Sequence, residues 1–147
     1  MTRLRAAHTG DAGTVGAILS AFVDGTDWMP RVHSRAEDIA HADAMIARSW
    51  ITVCDGTDGN IGFLARDGAE INALYVDPAH RNAGIGTRLL RDAQARACEL
   101  TLWTFVANTG AQRFYLRHGF REIARGDGTA NDEGLPDIRY HWTREAA

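Results

Sequence analysis

The stretch that most limits what this chain can fold into runs from Glu70 to Val106. A β-rich run, Glu70-Ile71-Asn72-Ala73-Leu74-Tyr75-Val76, is closed by Asp77-Pro78. A turn, Arg81-Asn82-Ala83-Gly84-Ile85-Gly86-Thr87, then opens a helix, and a second β-rich run, Leu100 to Val106, follows it. Within the helix Ile85, Leu89, Leu90 and Ala93 recur on one inward face, while Arg88, Arg91 and Arg96 fall outward. Strand, turn, helix and strand form a βαβ unit, which places its two strands parallel in one sheet. Any fold for this sequence has to be built around that pair.

The flanks add helices and antiparallel strands. Leu4 begins a short extended segment, and Val15, Ile18, Leu19 and Phe22 then mark a helix from Asp11 to about Phe22. Asp24 to Pro30 breaks it, and Ser34-Arg35-Ala36-Glu37 reads as a capping box opening a second helix that ends near Arg48. Trp50–Cys54 and Ile61–Ala65 make a hairpin across the turn formers Asp55 to Asn60, and Glu70–Val76 continues it as a third strand. Alternation along that strand predicts Glu70, Asn72, Leu74 and Val76 on one face, with Ile71, Ala73 and Tyr75 on the other. A short helix from Ala111 to about Arg117 stops at Gly119, before strands at Arg121–Arg125 and Ile138–Thr143. The fold class expected is α+β, a mixed sheet of about seven strands with four helices, in a single domain over residues 1–147.

Charge separates the chain into three parts. Residues 1–77 carry six arginines against eleven acids, residues 78–125 eight against three, and the remainder two against five. A basic middle between acidic flanks suits a phosphate-bearing ligand beside a cationic one, although solvated helix faces also produce such a pattern. All sixteen basic residues are arginine, so mechanisms built on a lysine of this chain are excluded. A net charge of −3 gives no reason to expect nucleic acid as a partner, and no apolar run approaches the roughly 20 residues of a membrane span. Cys54 and Cys98 show no metal-ligand spacing and are expected as buried thiols, in a cytoplasmic, reduced protein without a metal.

The Arg81–Thr87 turn presents backbone N–H groups at the positive end of a helix, where phosphate oxygens bind, although a Gly-x-Gly turn also serves as a plain tight connection. It is not a dinucleotide fingerprint, because Leu89 stands where a third glycine belongs. The surroundings are more specific. Leu74-Tyr75-Val76-Asp77-Pro78 precedes Arg81-x-x-Gly84-x-Gly86, and Asn108 is followed by Ala111, Phe114-Tyr115 and Gly119-Phe120. Across residues 70–125 this resembles the GNAT superfamily of acyl-CoA-dependent N-acyltransferases.

The resemblance implies a pair of parallel strands that splay apart to admit acetyl-CoA. Arg81, Asn82, Ala83, Gly84, Ile85, Gly86 and Thr87 would hold its pyrophosphate, and Leu74, Tyr75 and Val76 would pair with the pantetheine arm. The Leu74 amide would face the thioester carbonyl and stabilise the oxyanion, and Asn108 would contact CoA unless it only caps the following helix. Tyr115 matches the tyrosine that protonates the leaving thiolate; its alternative is a core aromatic beside Phe114. Glu70, eleven residues before Arg81, matches the spacing of the glutamate base of the histone-acetylating branch, with a water held by Asn72 as the alternative. Imidazoles suit proton transfer, but no spacing singles out His33 or His80 for it.

The acceptor site implied by the family lies between the first two helices and the loop joining the last two strands. That assigns Trp28, Met29, His33, Asn72 and Asp137 to the substrate and, from the acids on these segments, favours a small cationic amine. An acetyltransferase working through a direct ternary complex is therefore expected, with a homodimer admitted. A non-catalytic acyl-CoA sensor and a protein or peptide N-acetyltransferase are the alternatives.

Overall fold

The computed structural model describes residues 2–144. Strand β1 (Arg3–Ala6) leads into α1 (Ala12–Asp24) and α2 (Arg35–Ala47), then β2 (Ile51–Gly56), β3 (Gly59–Asp67) and β4 (Glu70–Val76). The rest is α3 (Ile85–Arg96), β5 (Glu99–Phe105), α4 (Thr109–Arg117), β6 (Arg121–Gly126) and β7 (Asp137–Thr143). The seven strands form one sheet in the order β1-β2-β3-β4-β5-β7-β6, and β4–β5 is its parallel pair. The α+β architecture expected from the sequence is the one found.

Each sheet face has its own core. Leu64, Ile71, Leu89, Leu90, Leu100 and Leu102 pack with Tyr115 and Phe120 beneath α3 and α4. Val15, Ile18, Met45, Val53, Phe63 and Ala65 pack beneath α1 and α2. Two glycines let helices approach closely. A Cβ on Gly16 of α1 would sit 2.8 Å from the Ile39 Cα of α2, and one on Gly62 of β3 would meet Ile85 and the Tyr75 carbonyl at 3.0 and 3.2 Å. Both capping-box bonds of Ser34 and Glu37 are present at the start of α2.

Three expectations are corrected. The hairpin strands run to Gly56 and from Gly59, so the Asp55–Asn60 turn is shorter than its composition suggests. Cys54 is buried, but Cys98 is exposed, because it stands in the α3–β5 connection and not within an element. The third correction concerns β4. Ala73 pairs with Ala65 but Ile71 pairs with Arg66, which leaves Asn72 as an extra, bulged residue. One inserted residue reverses every side chain beyond it, so Ile71, Leu74 and Val76 share the α3 side, while Ala73 and Tyr75 face α1 and α2. Glu70 lies across the sheet from Leu74, contrary to the alternation rule.

Candidate active site

The splayed strands are the centre of the site. β4 and β5 meet only at Glu70 and Thr101, where the Thr101 amide donates to the Ala69 carbonyl at 2.8 Å. Beyond that point β5 stays paired with β7 as far as Phe105 opposite Asp137, and β4 stays paired with β3. The strands diverge, leaving a gap lined by residues 71–75 and 102–105, Asn108 and Tyr115. The antiparallel ladder determines which amides face the gap. The Asp77 amide donates to the Ile61 carbonyl at 2.8 Å, so the hydrogen-bonded pairs with β3 are those of Asp77, Tyr75 and Ala73. The N–H groups of Leu74 and Val76 therefore point away from β3 and into the gap, whereas that of Tyr75 is used within the sheet.

On one side of the gap lies a cleft of about 730 Å³ whose walls are β4, the turn before α3, and α4. Its floor is largely backbone. Asn82 and Gly84 adopt positive φ of 65° and 77°, which turns the chain into α3 with Gly84 as N-cap. No side chain caps that helix and its first turn carries no acid. The first helical bond runs from the Arg88 amide to the Gly84 carbonyl, so the amides of Ile85, Gly86 and Thr87 have no partner within the helix. A Cβ on Gly86 would reach toward Phe114 and Val76, so its absence keeps this part of the cleft wide. Arg81, His80 and Arg117 line the same cleft, and among the described residues no carboxylate does. Open amides at a positive helix end, basic side chains and an unpaired strand edge fit a phosphorylated cosubstrate with an extended, amide-bearing arm.

Tyr115 stands where this cleft meets the gap. Its ring is buried between Phe114 and Phe120, at centroid distances of 5.2 and 5.4 Å. Among the described residues its hydroxyl has no protein partner, yet no sealed side-chain oxygen is left unpaired, so the hydroxyl opens onto the cleft. Burial pushes that hydroxyl well above the ordinary phenol range and keeps it protonated at neutral pH. Asn108 is the cap of the following helix. Its Oδ1 accepts from the Ala111 amide at 3.1 Å as the cap of α4, while the residue still borders the cleft and the gap.

On the other side of the gap is a second cleft, of about 550 Å³, between α1, α2, their connection, β4 and the β6–β7 loop. Leu19, Val23, Met29, Met45 and Ala73 give it an apolar lining, and Glu37, Asp38, Asp132 and Glu133 give it four carboxylates. The connection is fastened by Arg31, which donates to Asp24 at 2.8 Å, to Asp38 at 3.2 Å, and to the carbonyls of Ser20 and His33. The rings of Phe22 and Tyr75, 4.7 Å apart, border both clefts and the gap, forming the partition between them. Packed on Phe22 and Phe63, the Tyr75 hydroxyl is pushed up to about 12 by loss of solvent and, secondarily, by the Glu133 charge.

The sequence-derived residues divide accordingly. All twelve assigned to the cosubstrate except Ala83, at the exposed turn apex, line the first cleft. Met29, His33 and Asn72 line the second. Trp28 packs on Phe22 and Phe105 and faces the first cleft instead. Asp137 lies apart, in a pocket beside Trp103, where Asn131 donates to it at 3.2 Å. Glu70 lines neither cleft. Its carboxylate accepts from Arg139 at 2.9 Å and from the Thr101 hydroxyl at 3.0 Å, tying β4 to β5 and β7 where the splay begins. Phe22, Phe114 and Arg117 of the first cleft, and Asp38 of the second, were not singled out. Only Phe114 was signalled, by its place in the Phe114-Tyr115 pair and by the i,i+3 spacing that sets it beside Ala111. No cluster of metal-ligating side chains occurs among the described residues, and no helix there is long and apolar enough to cross a membrane.

Comparison with known proteins is consistent with this geometry. The family model for the acetyltransferase (GNAT) domain matches residues 46–122. The peptidyl-lysine N-acetyltransferase YjaB of Salmonella typhimurium is 30% identical over 138 residues, covering 92% of this chain and 93% of its own length. The solution structure of apo YjaB from Escherichia coli superposes with a TM-score of 0.80 at 24% identity over 97% of both chains. The structure of yncA from Salmonella typhimurium with acetyl-CoA superposes at 0.75 with 18% identity, over 100% of this chain and 97% of that one.

Proposed function

The chain belongs to the GNAT family of acetyltransferases, and within that family we propose that it acetylates a primary amine carried as a cation on an apolar arm. The observation that carries this reading is the meeting of a basic, backbone-built cleft and an acidic, apolar-lined one at the Tyr75–Phe22 partition.

Acetyl-CoA, when bound, supplies the activated acetyl group. The open amides of Ile85, Gly86 and Thr87, with Arg81, hold its phosphates, and the Leu74 and Val76 edges pair with its arm. That pairing brings the thioester carbonyl to the Leu74 amide, which stabilises negative charge on the carbonyl oxygen as the amine attacks. Tyr115 directs a protonated phenol at the sulfur. Because burial raises its proton affinity, it assists departure first as a hydrogen-bond donor and releases its proton only as thiolate charge develops. Glu70, held by Arg139 and Thr101 outside both clefts, is a positioning residue for the splay and is not proposed as the base.

Two acceptors share this chemistry, a small alkylamine and a lysine side chain of a protein. The name of the Salmonella relative favours the second, and the acid-lined cleft of about 550 Å³ between α1, α2 and the β6–β7 loop favours the first. A thiol-release assay with acetyl-CoA against polyamines, aminoglycosides, carboxylate-rich amines and lysine peptides tests the reading. Cationic alkylamines or lysine peptides are expected to be acetylated, and preference for carboxylate-rich amines would overturn the acidic-cleft assignment.

A further inference from the structure

Four carboxylates line the acceptor cleft, and three of them are already engaged. Glu37 accepts from the Ser34 amide at 2.9 Å as part of the capping box. Asp38, buried, accepts from the Ser20 hydroxyl at 2.6 Å and from Arg31 at 3.2 Å. Asp132 faces His33 Nε2 at 3.2 Å. Glu133 alone has no hydrogen-bond or ion-pair partner among the described residues, although it is half-buried. Its loop is not loose. Asn131 donates to the Leu135 carbonyl at 2.8 Å and accepts from the Leu135 amide at 3.2 Å, bracketing Glu133 on both sides.

We propose that Glu133 is the residue that receives the acceptor ammonium and takes its proton. The inference rests on the reading of this cleft as the acceptor site. Glu133 is the carboxylate of the cleft left free to meet a cation, the other three having partners among the described residues. Tyr75 borders both this cleft and the gap between the splayed strands, and it lies close enough for the Glu133 charge to add to burial in raising its hydroxyl. A nitrogen held by Glu133 beside Tyr75 therefore stands at the entrance to the gap where the Leu74 amide points. One ammonium proton passes to the Glu133 carboxylate and then to solvent. The nitrogen lone pair forms the bond to the acetyl carbon as the carbon–sulfur bond breaks, and the Tyr115 hydroxyl gives its proton to sulfur and regains the second amine proton. The balance is one amide, one thiol and one released proton.

The titratable groups sharing the cleft with Glu133 are Tyr75 from β4, Glu37, Asp38 and His41 from α2, His33 from the connection, and Asp132 from its own loop. With n-hexylamine as probe, Glu133→Gln is expected to lower turnover about 10²–10⁴-fold and to abolish the acid limb of the pH–rate profile, with acetyl-CoA affinity unchanged. Glu70→Gln is expected to keep that limb. A Glu133→Gln enzyme with the wild-type limb, or its disappearance in His33→Asn or His41→Asn alone, would overturn the assignment. A second measurement needs no turnover: in ¹³C-glutamate-labelled protein, n-hexylammonium is expected to move the Glu133 carboxyl resonance and to leave those of Glu70 and Glu122 in place. An unmoved Glu133 resonance overturns the proposal. A moved resonance in a protein that releases no CoA with any amine supports the ammonium seat and refutes the acetyl-transfer reading instead.

Discussion

The two clefts that meet at Tyr75 are made by opposite means. The one facing α3 is built largely from backbone: open amides at a helix start, an unpaired strand edge and a glycine that keeps the wall back, all within residues 74–87, with α4 and the Phe22–Trp28 segment supplying the remaining walls. The one facing α1 and α2 is built from side chains of six separate segments, fastened by Arg31 and the capped start of α2. A site built from backbone amides, of the kind a phosphate fits, tolerates side-chain change. A side-chain-built site can be re-lined without touching the first, so its acids and apolar lining are where a preference particular to one chain would reside.

The sharpest way to test that division is where the first cleft meets the gap. Tyr115→Phe keeps the ring packing on Phe114 and Phe120 but removes the donor, so turnover should fall about 10²–10⁴-fold while the Michaelis constant for acetyl-CoA moves little. Steady-state kinetics checks this, and a wild-type turnover number would reduce Tyr115 to a packing residue. Next in size, Gly86→Asp places a negative charge among the open α3 amides and should weaken acetyl-CoA binding by about tenfold or more, about 1.4 kcal/mol. Calorimetry on the folded variant decides it, and unchanged affinity would mean that the phosphates bind elsewhere.

The acceptor side breaks differently. In Gly16→Ala the added Cβ meets Ile39 backbone, which should push α1 from α2 at a cost of about 1–3 kcal/mol. The Michaelis constant for the amine should rise while acetyl-CoA affinity holds; parallel losses in both would show that the clefts are not independent. The smallest effect expected is a pH dependence confined to the same side. Bonds from Arg5, with help from the His8 amide, hold the Asp11 carboxyl well below its ordinary value of 3.8 at the foot of α1. A carboxyl with a lowered folded-state pKa stabilises the fold above its unfolded value, and that contribution is lost as the pH falls below about 4. Asp11→Asn should therefore cost about 1 kcal/mol at neutral pH and flatten the acid decline measured by thermal unfolding.

How much of this was legible in the sequence follows from the same contrast. The βαβ unit, the glycine turn, Tyr115 and the cap at Asn108 were readable because each depends on residues close together in the chain. The basic middle and acidic flanks even anticipated the charge of the two clefts. The acceptor site was only partly readable. Met29, His33 and Asn72 do converge, but Asp137 and Trp28 belong to other walls, and Glu133 gave no local signal.

By itself the sequence determined the parallel pair and the amide-lined helix start, since a strand, a Gly-x-Gly turn and an amphipathic helix leave the backbone little other choice. Tertiary structure decided which carboxylates have partners. Glu70 is the example: spacing alone brought it to the family's base position, but the Asn72 bulge turned it across the sheet from Leu74, and Arg139, sixty-nine residues away, claimed its carboxylate. A single inserted residue reverses a strand's faces, and an ion pair needs two segments to meet in space, so neither is written in any local stretch of the chain.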